Sequence, residues 1–376
     1  MTHRIYLIPG FFGFANVGEL KYFSHVRTLL EERLAERGIE AFVHYVPTLP
    51  TASIRRRTER LLEIVAGTAT PNRDTLHLIG HSTGGLDARL LAAPGISLPG
   101  QHDPEGFAEQ IKTVVCVSTP HLGTPLAAFF NGLFGQRLLR LLSAITLHSI
   151  RLGSTPITAF AALAEALPGS NLFIEGNILD QIYRDLLRDF DSERREDLVD
   201  FFGQISAEQS LVTQLTPDAM DLFNASAADR LGVRYGCVLT MAPPPRLLSQ
   251  LRLGLRPTDH AMYALYRTLH QLTARDDGFQ LPELTRRQRM ALLRALGRLP
   301  ARRDNDAVVP TLSQIHGDII HVALADHHDS IGHFEGPGHD PPHIDWLRTL
   351  SRFDRSRFET LWDEVFDYIF PPALTG

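Results

Sequence analysis

Residues 75 to 91 read Thr75-Leu76-His77-Leu78-Ile79-Gly80-His81-Ser82-Thr83-Gly84-Gly85-Leu86-Asp87-Ala88-Arg89-Leu90-Leu91. The apolar run ahead of Gly80 is strand-like, the run after Gly85 is helix-prone, and a serine stands at their junction. A serine flanked by glycines two positions before and two after it, on a strand-to-helix turn, is the pattern of a nucleophile elbow. The turn is so tight that Ser82 must adopt a strained backbone conformation, and positions 80 and 84 leave almost no room for Cβ atoms. The consequence is a hydroxyl aimed at a substrate. Without the flanking strand and helix the same residues would describe an ordinary Gly/Ser loop; with them, the pattern points to a candidate nucleophile and to an architecture.

Strand and helix patterns alternate on both sides of this segment. Arg4-Ile5-Tyr6-Leu7-Ile8 reads as a strand, and a helix with Leu20, Phe23, Leu30 and Leu34 on one side stops at Gly38, a residue suited to the position after a helix end. A strand at 41–46, a helix at about 53–66 and a strand at 113–117 complete the first part. These strands are continuous apolar runs without polar alternation, as expected when both faces are covered. The fold class is therefore α/β, a mostly parallel central sheet with helices on both faces.

After Ser118 the alternation fails. From about Thr124 to Asp229 the chain reads helical and unusually apolar, as in Leu138-Leu139-Arg140-Leu141-Leu142, and sheet-like sequence resumes only at Val233-Arg234-Tyr235-Gly236-Cys237-Val238-Leu239. An insertion of this length between core strands is expected to form a helical cap over the carboxyl ends of the strands, where open α/β sheets bind ligands. A second, less regular insertion fills 242–303 and contains Pro243-Pro244-Pro245, read as a stiff loop. A last strand, Ile319 to Leu324, precedes a closing helix whose Phe358, Leu361, Trp362, Val365, Phe366 and Ile369 follow helical spacing and read as core. The expected division is a core over 1–123 and 231–376, with a smaller insertion at about 242–303, and a cap over 124–230.

Composition excludes several other readings. A net charge of −6 argues against nucleic acid as the main partner, and basic residues are nearly all arginine, with Lys21 and Lys112 the two lysines. The run Arg55-Arg56-Arg57 reads as the solvated face of a helix. Cys116 and Cys237 lie in apolar, strand-like segments, where free thiols behave as small hydrophobes, and no disulfide framework is implied. The amino terminus runs straight into a strand without a signal-peptide pattern, so a cytoplasmic location is the expectation. No stretch reaches the roughly 18 uncharged apolar residues of a membrane span.

A serine nucleophile needs three further parts. Charge building on a substrate carbonyl oxygen must be met by fixed N–H donors, one from the residue after the nucleophile, Thr83, and one from the loop after the first strand. That loop is Pro9-Gly10-Phe11-Phe12-Gly13, and Phe11 N–H is the candidate. Acid and base should follow in that order. Asp304-Asn305-Asp306 offers two aspartates, and Ala325-Asp326-His327-His328-Asp329, past the last strand, offers His327 beside His328. Seven histidines crowd 316–343, but neither a helical His-Glu-x-x-His pattern nor paired cysteines are present, so no metal and no cofactor are expected.

With these parts in order, the chain resembles the bacterial true lipases and related esterases of the α/β-hydrolase superfamily. The resemblance rests on the 9–13 loop, the elbow, Ser118-Thr119-Pro120-His121-Leu122-Gly123-Thr124-Pro125, Leu215-Thr216-Pro217-Asp218-Ala219-Met220 with Phe223-Asn224, and the acid and histidine loops. It implies an α/β-hydrolase fold, with Ser82 as nucleophile, Asp306 as acid and His327 as base. The implied activity is hydrolysis of apolar acyl esters through an acyl-enzyme; acyl transfer or phospholipase action by the same triad, and a non-catalytic scaffold, are the alternatives. Two departures stand out. Pro9-Gly10 replaces the usual His-Gly, and Ala307 stands where the acid loop has glycine. Some relatives hold a calcium with an aspartate at the position of Asp329, but the other ligands cannot be placed and no calcium is expected. The apolar cap leads to the expectation that residues 126–168 cover Ser82 and make transient contact with a lipid interface; a rigid cap with its leucines internal is the alternative. The oligomeric state is open.

Overall fold

The computed structural model describes residues 2–11, 22–49, 51–130, 210–246, 253, 257–275, 280–334 and 347–372. Among the described residues six strands form one sheet: β1 (His3–Ile8), β2 (Ala41–Tyr45), β3 (Thr75–His81), β4 (Ile111–Val117), β5 (Arg234–Thr240) and β6 (Asp318–Ala323). Their order is β2-β1-β3-β4-β5-β6, and all five pairings are parallel. The helices are α1 (Ser24–Glu36), α2 (Ile54–Thr68), α3 (Gly84–Ala92), α4 (Pro104–Ala108), α5 (Pro125–Phe130), α6 (Ser210–Gln214), α7 (Pro217–Ser226), α8 (Pro257–Thr273), α9 (Arg286–Leu296) and α10 (Arg355–Ile369).

The continuous apolar strands have the reason expected of them. Alternate side chains of each inner strand enter opposite cores, Ile5, Leu7, Val115 and Val117 with α1 and α10, and Tyr6, Ile8, Val114 and Cys116 with α2 and α3. The closing helix buries all six of its predicted core residues. At about 1.5–3 kcal/mol for each large apolar side chain taken from water, that stripe docks α10 firmly. The two edge strands depart from the expectation of covered faces. β2 is only half-buried, Phe42 is 51 % exposed, and β6 begins exposed, because an edge strand has a neighbour on one side only.

Arg57 overturns the reading of Arg55-Arg56-Arg57 as a solvated face. Arg55 and Arg56 are exposed, but Arg57 is fully buried and its guanidinium meets the Asp87 carboxylate of α3 at 2.7 Å. It also donates to the carbonyls of Leu49 (2.7 Å) and Pro9 (2.8 Å), so it joins α2, α3 and the loop after β1. Cys116 and Cys237 are buried and free, and burial pushes both thiols up to about 12, consistent with inert core positions.

Where the chain leaves the core after β4 it also returns. Thr124 N–H donates to Leu215 C=O at 3.0 Å, and α5, α6 and α7 stand at this root. Ala127, Leu211, Val212, Leu215 and Met220 pack there against Ile54 and Leu86 of the core. Most of the expected cap, 131–209, lies outside the described residues, and with it most of the 126–168 segment. The second insertion is more regular than the sequence suggested. It holds α8, with buried Tyr263, Tyr266 and Leu269, and α9, which starts at a Thr285/Gln288 capping box and ends at Gly297 in a left-handed conformation. Among the described residues, no helix is long and apolar enough to cross a membrane.

Candidate active site

Ser82 directly follows β3 at φ 55°, a backbone conformation that L residues other than glycine rarely adopt, and is 5 % exposed. The glycines around it answer to specific neighbours. A Cβ at Gly80 would overlap the backbone of Gly84, one at Gly84 would overlap the Ile8 carbonyl oxygen, and one at Gly10 would come within 2.5 Å of Ser82 Cβ. Strain at the serine is thus held by the close passage of the β1 and β3 loops, and Ser82 N–H is anchored on Val117 C=O at 2.8 Å. Thr83 stands at the start of α3, where the partial positive charge of a helix N-terminus favours developing negative charge.

The acid loop forms after α9. Asp306 is fully buried and accepts five hydrogen bonds. Its Oδ1 takes the N–H groups of Val308 (2.9 Å) and Val309 (2.7 Å). Its Oδ2 takes His327 Nδ1 (2.8 Å), the Thr240 hydroxyl (2.7 Å) and Gln314 Nε2 (3.1 Å). Asp304 instead turns to the surface, where it meets Arg298 at 2.5 Å. Ala307 sits at φ 79°, a value that favours the glycine found there in the resembling family, and Asn305 stabilises the turn by accepting Ala307 N–H at 2.8 Å. Helix α8 buttresses the loop, with Thr273 donating to Ala307 C=O at 2.9 Å.

His327 follows β6 in a turn closed by its flanking aspartates. Asp326 Oδ1 accepts the N–H groups of His328 (2.9 Å) and Asp329 (3.0 Å), while Asp329 Oδ2 accepts Asp326 N–H at 2.9 Å. The position compared with a calcium ligand, Asp329, thus caps backbone and also accepts from Ser351 at 3.0 Å. Burial pushes the Asp326 carboxyl up to about 7. With Nδ1 of His327 donating to Asp306, Nε2 is the ring's basic nitrogen.

Phe11, Ser82, Thr83 and His327 line one pocket, together with His328 and a mostly apolar wall that includes Leu126, Phe130, Val212, Leu215 and Val309. All five sequence-expected site residues therefore either face this space or, for Asp306, stand directly behind it. Sequence reasoning missed Thr240 and Gln314, which reach Asp306 from the end of β5 and from the 3₁₀ turn Thr311–Gln314. The mostly polar stretch Thr311-Leu312-Ser313-Gln314 after Pro310 carries no local signal of that role, since its burial arises only in the fold. Among the described residues no group of three or more His, Cys, Asp or Glu is placed to hold a metal ion.

No protein-family model matches the chain, and no curated protein does. Solved structures do match. Lipase 1 from Pelosinus fermentans is 18 % identical, with 97 % of this chain and 98 % of that one aligned at a TM-score of 0.52. EstA from Clostridium botulinum is 19 % identical over 94 % and 87 % of the two chains, TM-score 0.51. The Staphylococcus hyicus lipase is 14 % identical over 98 % and 95 %, TM-score 0.51. Likeness across nearly the whole chain at such identities speaks to architecture, and it agrees with the parallel sheet and its flanking helices: this chain has the α/β-hydrolase fold.

Proposed function

We propose that the chain is a serine hydrolase that cleaves carboxylic esters with apolar acyl groups. The observation that carries this reading is the meeting of a strained elbow serine, Ser82, with the His327–Asp306 pair around one apolar pocket. Ser82 Oγ attacks the ester carbonyl as its proton passes to His327 Nε2, and the buried Asp306 carboxylate stabilises the imidazolium that forms. The N–H groups of Phe11 and Thr83 receive the oxyanion. Collapse expels the alcohol, which takes the proton from His327 and leaves Ser82 acylated; water, deprotonated by His327, then attacks the acyl carbon, and the C–Oγ bond breaks as Ser82 Oγ recovers that proton and the acid is released. The apolar wall supports an acyl chain over a polar substrate. The cap's composition supports transient contact with a lipid interface.

A fluorophosphonate probe should label the parent chain and leave Ser82→Ala unlabelled. The parent should hydrolyse a p-nitrophenyl ester, with Ser82→Ala reduced to at most the 10³ to 10⁴-fold advantage over water left to oxyanion donors and binding alone. His327→Ala should be inactive and His328→Ala largely active. An alcohol added as a second acceptor measures how acyl groups divide between water and transfer. A folded parent chain that neither takes the probe nor releases p-nitrophenol overturns the reading.

A further inference from the structure

Asp306 aside, the groups assigned to catalysis come from three loops, after β1, β3 and β6. β1 and β3 are neighbours, but β6 lies at the far edge of the sheet, three strands from β3. Their registry across Ser82 therefore does not follow from the sheet alone. A continuous line of hydrogen bonds joins all three loops through Tyr22, which itself lines the pocket beside Ser82. Gly10 N–H meets Tyr22 Oη at 3.2 Å, Tyr22 Oη meets His81 Nδ1 at 2.7 Å, and His81 Nε2 meets His327 C=O at 2.8 Å.

One arrangement of protons satisfies this line. The His327 carbonyl can only accept, so His81 carries its proton on Nε2; Nδ1 of the neutral ring then accepts from the Tyr22 hydroxyl, whose oxygen takes Gly10 N–H. We propose that Tyr22 and His81 are positioning residues that hold the oxyanion loop and the base loop in register on either side of Ser82. Burial lowers His81 well below the ordinary histidine value and raises Tyr22, which keeps both groups in the required neutral forms. Neutrality matters for a second reason. The His81 ring centroid lies 4.7 Å from that of His327, so a charged His81 would oppose the imidazolium that His327 must form in turnover. Arg57 fixes the Pro9 carbonyl from the opposite side, so the peptide between Pro9 and Gly10 is held at both its oxygen and its N–H.

This inference rests on the hydrolase reading above, and its test separates the two. Tyr22→Phe keeps the ring that packs edge-on against Phe23 and His81 but removes the hydroxyl at the centre of the line. Misplacement by about 1 Å costs on the order of 10² in rate. The expected result is a kcat per titrated active site reduced about 10- to 100-fold, with KM within about twofold and the rate of fluorophosphonate labelling reduced in parallel. His81→Leu should lose a similar factor, and the Tyr22→Phe/His81→Leu double variant little more than either single, because either change already breaks the line. His81→Gln, which retains a donor and an acceptor, should recover most of the rate. A purely structural role would lower thermal stability and the titrated active fraction, leaving kcat per surviving site unchanged. That outcome overturns the proposal, as does a double variant whose losses multiply. Should the His81→Leu chain fail to fold, kcat per site in Tyr22→Phe decides alone. A parent chain inert to probe and ester overturns this proposal together with the reading beneath it.

Discussion

Asp306→Asn is the substitution on which the site assignment turns. The carboxylate accepts five hydrogen bonds and donates none, so both oxygens are fully engaged as acceptors. An asparagine amide puts an NH₂ group in one of the two places. Placed at Oδ2, it faces His327 Nδ1–H and the Gln314 amide; placed at Oδ1, it faces the N–H groups of Val308 and Val309. Either choice sets donor against donor in a buried site, and an unsatisfied buried group costs roughly 1–3 kcal/mol. The chemical loss is larger. Without an anionic acceptor at Nδ1 the imidazole loses its fixed tautomer and the stabilisation of its charged form, worth on the order of 10⁴ in turnover in such triads. Asp304→Asn, by contrast, touches only the surface contact with Arg298 and the Ala301 N–H, and should retain turnover within about twofold. The assay is p-nitrophenyl butyrate hydrolysis, normalised by fluorophosphonate titration of active sites, with thermal unfolding recorded alongside. Turnover of Asp306→Asn within tenfold of the parent, or an inactive but folded Asp304→Asn, would refute the assignment.

Two further outcomes follow from buried charge. Arg57→Met leaves Asp87 without its partner in a fully buried site and frees the Pro9 carbonyl, so unfolding in urea should show a loss of about 3–5 kcal/mol; a loss below 1 kcal/mol would mean the pair is not held as described. Burial also lowers His77 to about 3, His270 to about 4, and His81, His121 and His328 well below the ordinary value. A base with a folded value below its unfolded one contributes stability that is complete above about pH 6.5 and is lost as pH falls toward the folded value. Asp326, raised to about 7, and Asp87, raised to about 6, act in the opposite sense. His3, His44 and His316 are lowered as well, so the histidines outweigh the two raised carboxyls and unfolding takes up protons on balance as pH falls below about 6.5. Thermal unfolding between pH 7.5 and 5 should show Tm falling on acidification, and a Tm that is flat or rises would contradict the neutral burial of these rings.

What could be read before folding was local in origin. Gly80 and Gly84 are required by the tightness of one turn, the uninterrupted apolar runs of β1, β3 and β4 by burial on two faces, and the Phe358-to-Ile369 stripe by helical period. Each signal arises within a few residues of where it is written. The order of serine, acid and histidine along the chain narrowed the base and acid to neighbouring pairs, yet no local rule separates Asp304 from Asp306.

The turn through Ala307 separates them, by sending one carboxylate inward to Val308, Val309, Thr240 and Gln314 and the other to the surface. Arg57 reads as solvated beside two other arginines, and only folding brings Asp87, Pro9 C=O and Leu49 C=O together as the acceptors that let it be buried. The link from Tyr22 through His81 to His327 spans 59 and then 246 residues of sequence. Hydrogen bonds of this kind carry no periodicity, so their partners become visible only when the sheet order brings distant loops together. The elbow, the strands and the class of fold are legible in the order of residues alone, because they depend on sterics and burial of near neighbours. Which polar side chains are paired, and which are held neutral, was decided by tertiary structure, because removal from water makes a partner obligatory and only the folded chain brings one within reach.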